Sequence, residues 1–249
     1  MLLTNTTCGP AEQTVNLLLF ASSEVAADGL LRIGDQRLRH LVQVHGKASG
    51  DVVRVGQIDG AMGNADILAI DSHEAVLRPR LDSQPPRKLP LALVLALPRP
   101  KMLRRILRAT AEFGVGELHL VHSYRVEKSY WQTPVLQADT VRDCLLQGLA
   151  QSRDTVLPQV LCHRRFKPFV EDELPQLLQE KRALLAHPGD YPECPRGLSE
   201  PTLLVIGPEG GFIPYEVDKL QQAGCQPVTL GPRILRVEHA VTSLLGRLF

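Results

Sequence analysis

The sequence predicts an α/β domain on a largely parallel sheet, preceded by a small, mostly β, barrel-like module. Three observations carry this reading. From Leu91 onward, continuous apolar runs alternate with segments of helical periodicity, the pattern of strands buried on both faces of a parallel sheet. The first eighty-odd residues read instead as short strands separated by turn signals. Between them, residues 84–90 (QPPRKLP) carry three prolines in seven positions, which cannot continue a helix or an interior strand. The predicted domains are therefore residues 1–83 and 91–249, joined by a linker over 84–90.

In the first module, Leu17–Phe20 and Leu30–Ile33 are short apolar strands. Asp35 stands where it caps a helix through Gln36–Val44, with Leu38, Leu41, Val42 and His45 on one face. Gly50 and Asp51 introduce a strand over Val52–Gln57, and Asp59 and Gly60 end it with a hairpin signal. Strands over Ala65–Ile70 and Glu74–Leu81 complete the module.

In the second domain, Leu91–Leu97 is a continuous apolar strand. A helix over Met102–Phe113 turns Leu103, Ile106, Leu107 and Thr110 inward, and Gly114 ends it. The order then runs strand Glu117–His122, helix Val135–Gln151, a strand near Pro158–Leu161, a helix near Val170–Glu180, and strands Ala183–Ala186 and Thr202–Ile206. Helix Pro214–Ala223, strand Pro227–Leu230 and helix Glu238–Leu248 close the chain. Such alternation means an α/β fold.

Composition narrows the function classes. Aromatics make up 4% of the 249 residues, too few for a broad base-stacking surface, and the net charge of +1 leaves nucleic-acid affinity to a local patch. The five cysteines (Cys8, Cys144, Cys162, Cys194, Cys225) form no CxxC pair and lie near no His cluster. No metal site or disulfide framework is expected, and buried reduced thiols suit a cytoplasmic protein. No apolar stretch is long enough to span a bilayer, so no membrane partner is expected; the N-terminus lacks the basic start of a signal peptide.

Charge is unevenly spread. Residues 1–82 hold seven Lys/Arg against ten Asp/Glu, whereas residues 83–135 hold nine against three. Arg99, Lys101, Arg104, Arg105 and Arg125 in that second segment suit a phosphate backbone. A solvated helix face is the alternative reading of the same run.

Two C-terminal motifs carry the chemistry. In Leu203–Phe212 (LLVIGPEGGF), a buried strand runs directly into a glycine-rich turn, where glycine permits positive φ and close approach of a ligand. Pro214 and Glu216 then mark a helix start. A loop at the carboxyl end of a parallel strand is where open α/β sheets bind ligands. The turn has no Gly-Lys-Ser/Thr and no GxGxxG, so it is neither a Walker loop nor a dinucleotide fingerprint. In Leu230–Ala240 (LGPRILRVEHA), a second strand ends, and arginines and a glutamate bracket an apolar pair before the last helix.

This pair of motifs strongly resembles the RsmE family of 16S ribosomal RNA uridine-N3 methyltransferases, within the SPOUT superfamily. Residues 39–44 (RHLVQV), Gly50–Val53 and Asp59–Gly60 look like that family's PUA-like RNA-binding domain. The resemblance implies a SPOUT-type parallel sheet with a C-terminal trefoil knot after a PUA-like β-barrel. It also implies S-adenosylmethionine as methyl donor, no metal, a homodimer, and 16S rRNA or the small ribosomal subunit as partner. Ile206, Gly207 and Gly211 would line one wall of the donor pocket, and Leu230, Ile234, Leu235 and Ala240 another. Arg236 and Glu238 would face the reaction centre. At Ile213, Val237 and His239 the chain departs from hydroxyl-bearing family positions, and Ser123-Tyr124-Arg125 differs from the family's S-E-R. Methylation of another RNA nucleotide, or a silent RNA-binding paralogue, therefore stays open. Trp131 and His187 read as packing and as surface loop.

Overall fold

The structure is a computed structural model that describes residues 16–249; Cys8 and the N-terminal segment lie outside the described residues. The chain divides at Pro85/Pro86 into two units.

The first unit contains β1 (Leu18–Phe20), β2 (Leu31–Ile33), α1 (Gln36–Arg39), β3 (Val52–Gln57), β4 (Met62–Ile70) and β5 (Ala75–Ser83). The five strands are ordered β1-β3-β4-β5-β2, and only the β1–β3 ladder is parallel. One face buries Phe20, Leu31, Ile33, Leu38, Val55 and Leu77 in a single apolar cluster. Asp35 caps α1, its carboxylate accepting the Arg37 amide at 2.8 Å. The expected single helix to Val44 is two pieces, because a wider π-type turn over His40–Val44 follows α1. Leu38 and Leu41 stay buried, but the extra residue per turn rotates Val42 out of the apolar stripe. β4 starts at Met62, three residues before the expected position, and pairs along β5. A side chain at Gly63 would come within 1.9 Å of the Arg80 carbonyl, so only glycine fits where the strands cross at a register shift.

The second unit runs β6 (Leu89–Ala96), α2 (Pro100–Glu112), β7 (Val115–Val121), α3 (Ala138–Ser152), β8 (Gln159–His163), α4 (Phe166–Pro168), α5 (Leu174–Leu177), β9 (Arg182–Ala186), β10 (Thr202–Ile206), α6 (Pro214–Gln222), β11 (Gln226–Val228) and α7 (Val237–Leu248). Its six strands form one sheet, ordered β11-β9-β10-β6-β7-β8, in which every pairing is parallel. The central β6 and β10 read as uninterrupted apolar runs because both faces are covered.

Leu89 and Pro90, expected in the linker, belong to β6. Pro90 is tolerated near the start of this interior strand because the β6–β7 ladder shifts register between Leu89 and Ala92, where no proline donor is required. Lys88 anchors the same stretch through an ion pair of 2.6 Å to the buried Asp154. The expected helix over Val170–Glu180 is broken into short pieces from Phe166 to Leu177, since Pro175 has no N–H to continue the ladder. The helix expected from Val135 begins at Ala138, after two short turns over Lys128–Gln132 and Pro134–Leu136.

From β6 the chain steps outward through β7 to β8. It then returns to β9 and inserts β10 beside β6. The direction of winding therefore reverses between β6 and β10, the switch point at which open α/β sheets place ligands at the carboxyl ends of their strands.

Candidate active site

The carboxyl ends of β9, β10 and β11 build the site. β10 is buried along its length, and the chain continues into the buried Gly207 and Pro208 before surfacing at Glu209 and Gly210. The Gly211 amide donates to the Pro208 carbonyl at 2.8 Å, and Gly211 takes φ 72°, a conformation that suits glycine. At Gly207 an added Cβ would lie 3.1 Å from the Phe212 ring and 3.2 Å from its amide nitrogen, so the turn packs closely on Phe212. Ile213 offers no side-chain cap to α6. The buried Glu216 reaches back and accepts the Ile213 amide at 3.1 Å, and it accepts the Tyr124 amide at 2.7 Å. One carboxylate thus ties the glycine turn to the end of β7.

The second loop follows β11. The Thr229 hydroxyl donates to the Gly231 carbonyl at 3.2 Å and accepts the Gly231 amide at 3.3 Å, which fixes the turn before Arg233–Arg236. The segment after β9 laces over this end. The Thr229 amide donates to the Pro192 carbonyl, the Cys194 amide donates to the Thr229 carbonyl, and the Leu198 amide donates to the Leu248 carbonyl at the end of α7. Arg247 adds a bond to the Cys194 carbonyl and an ion pair to Glu193, each at 2.6 Å.

Between the loops lies a cavity of about 360 Å³. All seven residues expected to hold a ligand line it: Ile206, Gly207, Gly211, Leu230, Ile234, Leu235 and Ala240. Arg236 and Glu238 do not. Arg236 is the exposed residue preceding α7, and Glu238 is half-buried in its first turn, on either side of the pocket-lining Val237. Arg125 reaches the rim, where its guanidinium donates to the Gly210 carbonyl. Arg99 acts through its backbone: its amide, at the start of α2, donates to the Glu209 carboxylate at 3.0 Å. Glu209 thus faces a helix N-terminus, where negative charge is favoured. Lys101, Arg104 and Arg105 are exposed along α2 and form no ion pair among the described residues.

Among the lining residues that were not selected from the sequence, Arg233 and His187 are the two basic ones. Arg233 sits inside the second motif, two residues after the turn at Gly231, and is exposed at the cavity wall. His187, read as surface loop, directly follows β9 and faces the cavity; position at a strand's carboxyl end was the signal that marked it. Burial, and then the Arg125 charge, hold the His187 pKa below its ordinary value, so it is neutral near pH 7. Trp131 is packed, as expected, and its indole N–H donates to His122 Nδ1 at 3.0 Å. Cys144, Cys194 and Cys225 are buried thiols, whereas Cys162 is exposed. Among the described residues no group of three or more His, Cys, Asp or Glu is placed to hold a metal ion. No helix among them is long and apolar enough to cross a membrane.

Residues 85–248, well over half of the chain, match the RNA methyltransferase domain family. The chain belongs to that family. Among similar RNA methyltransferases, the ribosomal RNA small subunit methyltransferase E of Treponema pallidum is 28% identical over 91% of this chain and 87% of its own length. The protein of the same description from Synechocystis is 27% identical over 92% of this chain and 76% of its own length. The crystal structure of the Neisseria gonorrhoeae ribosomal RNA small subunit methyltransferase E, bound to S-adenosylmethionine, has the same fold, with a TM-score of 0.69 over 92% of this chain and 95% of its own at 20% identity. In this RNA methyltransferase the cavity at the switch point is the candidate active site.

Proposed function

We propose that the chain is an S-adenosylmethionine-dependent methyltransferase that modifies N3 of a uridine in 16S ribosomal RNA of the small subunit. The observation that carries this reading is the cavity between the turns after β10 and β11, with all seven expected donor residues in its lining. Curated relatives described as ribosomal RNA small subunit methyltransferases along most of their length, and the donor-bound Neisseria structure, support it.

The lining suits the donor. Leu230, Ile234, Leu235 and Ala240 offer apolar surface to an adenine, and at Gly211, where an added Cβ would meet only His187 at 3.9 Å, the missing side chain lets a ligand approach the backbone. A neutral His187 adds no positive charge against a sulfonium. When bound there, S-adenosylmethionine supplies an electrophilic methyl group.

The residues around the cavity prepare the acceptor. The uridine N3–H is a weakly acidic imide and a poor nucleophile until it loses its proton. Arg236, directly before α7, stabilises the imide anion, and the positive end of α7 acts in the same sense. Glu238, one residue into the helix, either orients Arg236 or helps move the proton. Arg125 holds the Gly210 carbonyl and so the rim of the turn. Fixing donor and acceptor side by side supplies much of the rate.

The first unit serves as a PUA-like RNA-binding barrel, and Arg99, Lys101, Arg104, Arg105 and Arg125 contact phosphates in the second. The bonds from residues 192–198 onto Thr229 and Leu248 support a C-terminal trefoil knot. The exposed Ile234, at 81% accessibility beside the cavity, supports a homodimer that covers it. The protein acts in the cytoplasm, where its RNA is found.

The test is transfer of a labelled methyl group to undermethylated small subunits, followed by digestion to nucleosides. Labelled 3-methyluridine is expected. Label in another nucleoside would replace the uridine assignment, and donor binding without label in any RNA would favour a silent paralogue.

A further inference from the structure

The carboxyl ends of β7 and β8 continue the row of strand ends that builds the cavity, and beyond Arg125 no step described above uses their exposed side chains. Val121 and His163 are register partners, and the His122 amide donates to the His163 carbonyl at 2.9 Å, so the two exits leave the sheet side by side. From β7 the chain presents Tyr124, 77% exposed, and then Arg125, whose guanidinium is bonded to the cavity's Gly210. From β8 it presents Arg164 and Arg165, both exposed.

Arg164 is held in place. Its guanidinium carbon lies 5.2 Å from the centre of the Trp131 ring, and that ring is locked by the indole N–H bond to His122 Nδ1. A guanidinium stacked on an aromatic face keeps its N–H edges free, with much of its side-chain entropy already lost before binding. Arg125, Arg164 and Arg165 form no ion pair among the described residues, while the neighbouring acid Glu173 is engaged by His163 Nδ1 at 2.8 Å. The strip therefore pairs one large exposed ring with uncompensated, partly pre-oriented cations, and it begins at the cavity rim.

We infer that this strip is a track for single-stranded RNA leading out of the cavity. Tyr124 stacks on an unpaired base beside the target nucleotide, and Arg164, seated on Trp131, takes a backbone phosphate together with Arg165. Stacking needs only a π face and phosphate contacts only positive charge, so the track recognises a strand rather than a sequence. It rests on the RNA reading proposed above, and it adds Tyr124, Arg164 and Arg165 to the binding surface.

The experiment titrates a fluorescein-labelled oligouridylate of about ten nucleotides into the full chain by anisotropy, across a series of salt concentrations. S-adenosylmethionine affinity is measured calorimetrically on the same preparations. Tyr124→Ala and Arg164→Ala are each expected to weaken oligonucleotide binding on the order of tenfold, with donor affinity unchanged. Arg164→Ala is also expected to lower the slope of log affinity against log salt by about 0.7, one phosphate contact on a single strand. Arg164→Lys, which keeps the charge but loses the planar stack, should restore the slope without restoring full affinity. Wild-type binding of the oligonucleotide that neither variant weakens would overturn the track alone. A wild-type chain that binds donor but no oligonucleotide would overturn the RNA reading with it.

Discussion

The buried carboxylate of Glu216 accepts the backbone amide of Tyr124 at 2.7 Å, across 92 positions of sequence. Its other oxygen accepts the Ile213 amide at 3.1 Å, the cap that Ile213 cannot provide from its own side chain. The glycine turn after β10 and the exit of β7 are thus held by one group. Glu216→Ala leaves two amides without their acceptor and is expected to lower stability by about 2–3 kcal/mol in urea denaturation. A loss below about 0.5 kcal/mol would show that the carboxylate is not the tie described.

Gly211 makes a separate prediction. At φ 72° an alanine is strained whatever the surrounding space, and its Cβ would lie 3.9 Å from His187 Cε1 at the cavity wall. Gly211→Ala is expected to strain the turn by about 1–2 kcal/mol and to weaken donor binding about tenfold in calorimetry. Unaltered affinity would mean the turn does not shape the donor site.

Donor affinity should depend on pH through His187. Burial and the nearby Arg125 lower its pKa, so the imidazole stays neutral through the ordinary histidine range and gains its proton only in more acid solution. That proton places a positive charge on the cavity wall beside a cationic ligand. Affinity is expected to be flat from about pH 8 down to about pH 6.5 and to fall below that; His187→Asn should remove the fall. The same decline in the variant would assign it to another group.

A second histidine governs acid stability. His119 Nδ1 lies 2.9 Å from His163 Nε2, and Glu117 lies 3.1 Å from its other nitrogen, off the line of a hydrogen bond. Burial is the main cause of the lowered His119 pKa; the Glu117 carboxylate opposes it, and the neighbouring His163 adds to it. Between the unfolded pKa, about 6.5, and the lower folded one, the unfolded chain binds the extra proton. Stability is therefore complete above that window and declines as pH falls through it. Urea denaturation at pH values from about 7 to about 5 should show a decline of up to about 1.4 kcal/mol per pH unit, reduced in His119→Phe. An unreduced slope in the variant would place the titration elsewhere.

How much of this was legible in the sequence depends on the range of the forces involved. Leu91–Leu97 and Thr202–Ile206 read as strands because burial on both faces writes a continuous apolar run, and the structure places strands there at Leu89–Ala96 and Thr202–Ile206. The seven pocket residues were legible through the family resemblance, which two compact C-terminal motifs carry. The π-type turn over His40–Val44 was not, since its apolar spacing differs from that of a helix by one residue. Strand order was not legible either: the neighbours of β10 are β9 and β6, separated from it by very different lengths of chain. The same limit hid the Tyr124–Glu216 tie, which arises only after the sheet assembles; His187 was marked by its place at a strand end, although it reads as surface loop.

The central claim is that the turns after β10 and β11 hold the methyl donor, and calorimetric titration of S-adenosylmethionine into the wild-type and Leu235→Arg proteins tests it most directly. Leu235 lines the cavity and is 40% exposed, so the replacement adds a cation at the site without emptying the core. Saturable binding at one donor per chain is expected in the wild type, with affinity at least about tenfold weaker in the variant. No binding to the wild type, or equal affinity in both proteins, would contradict it.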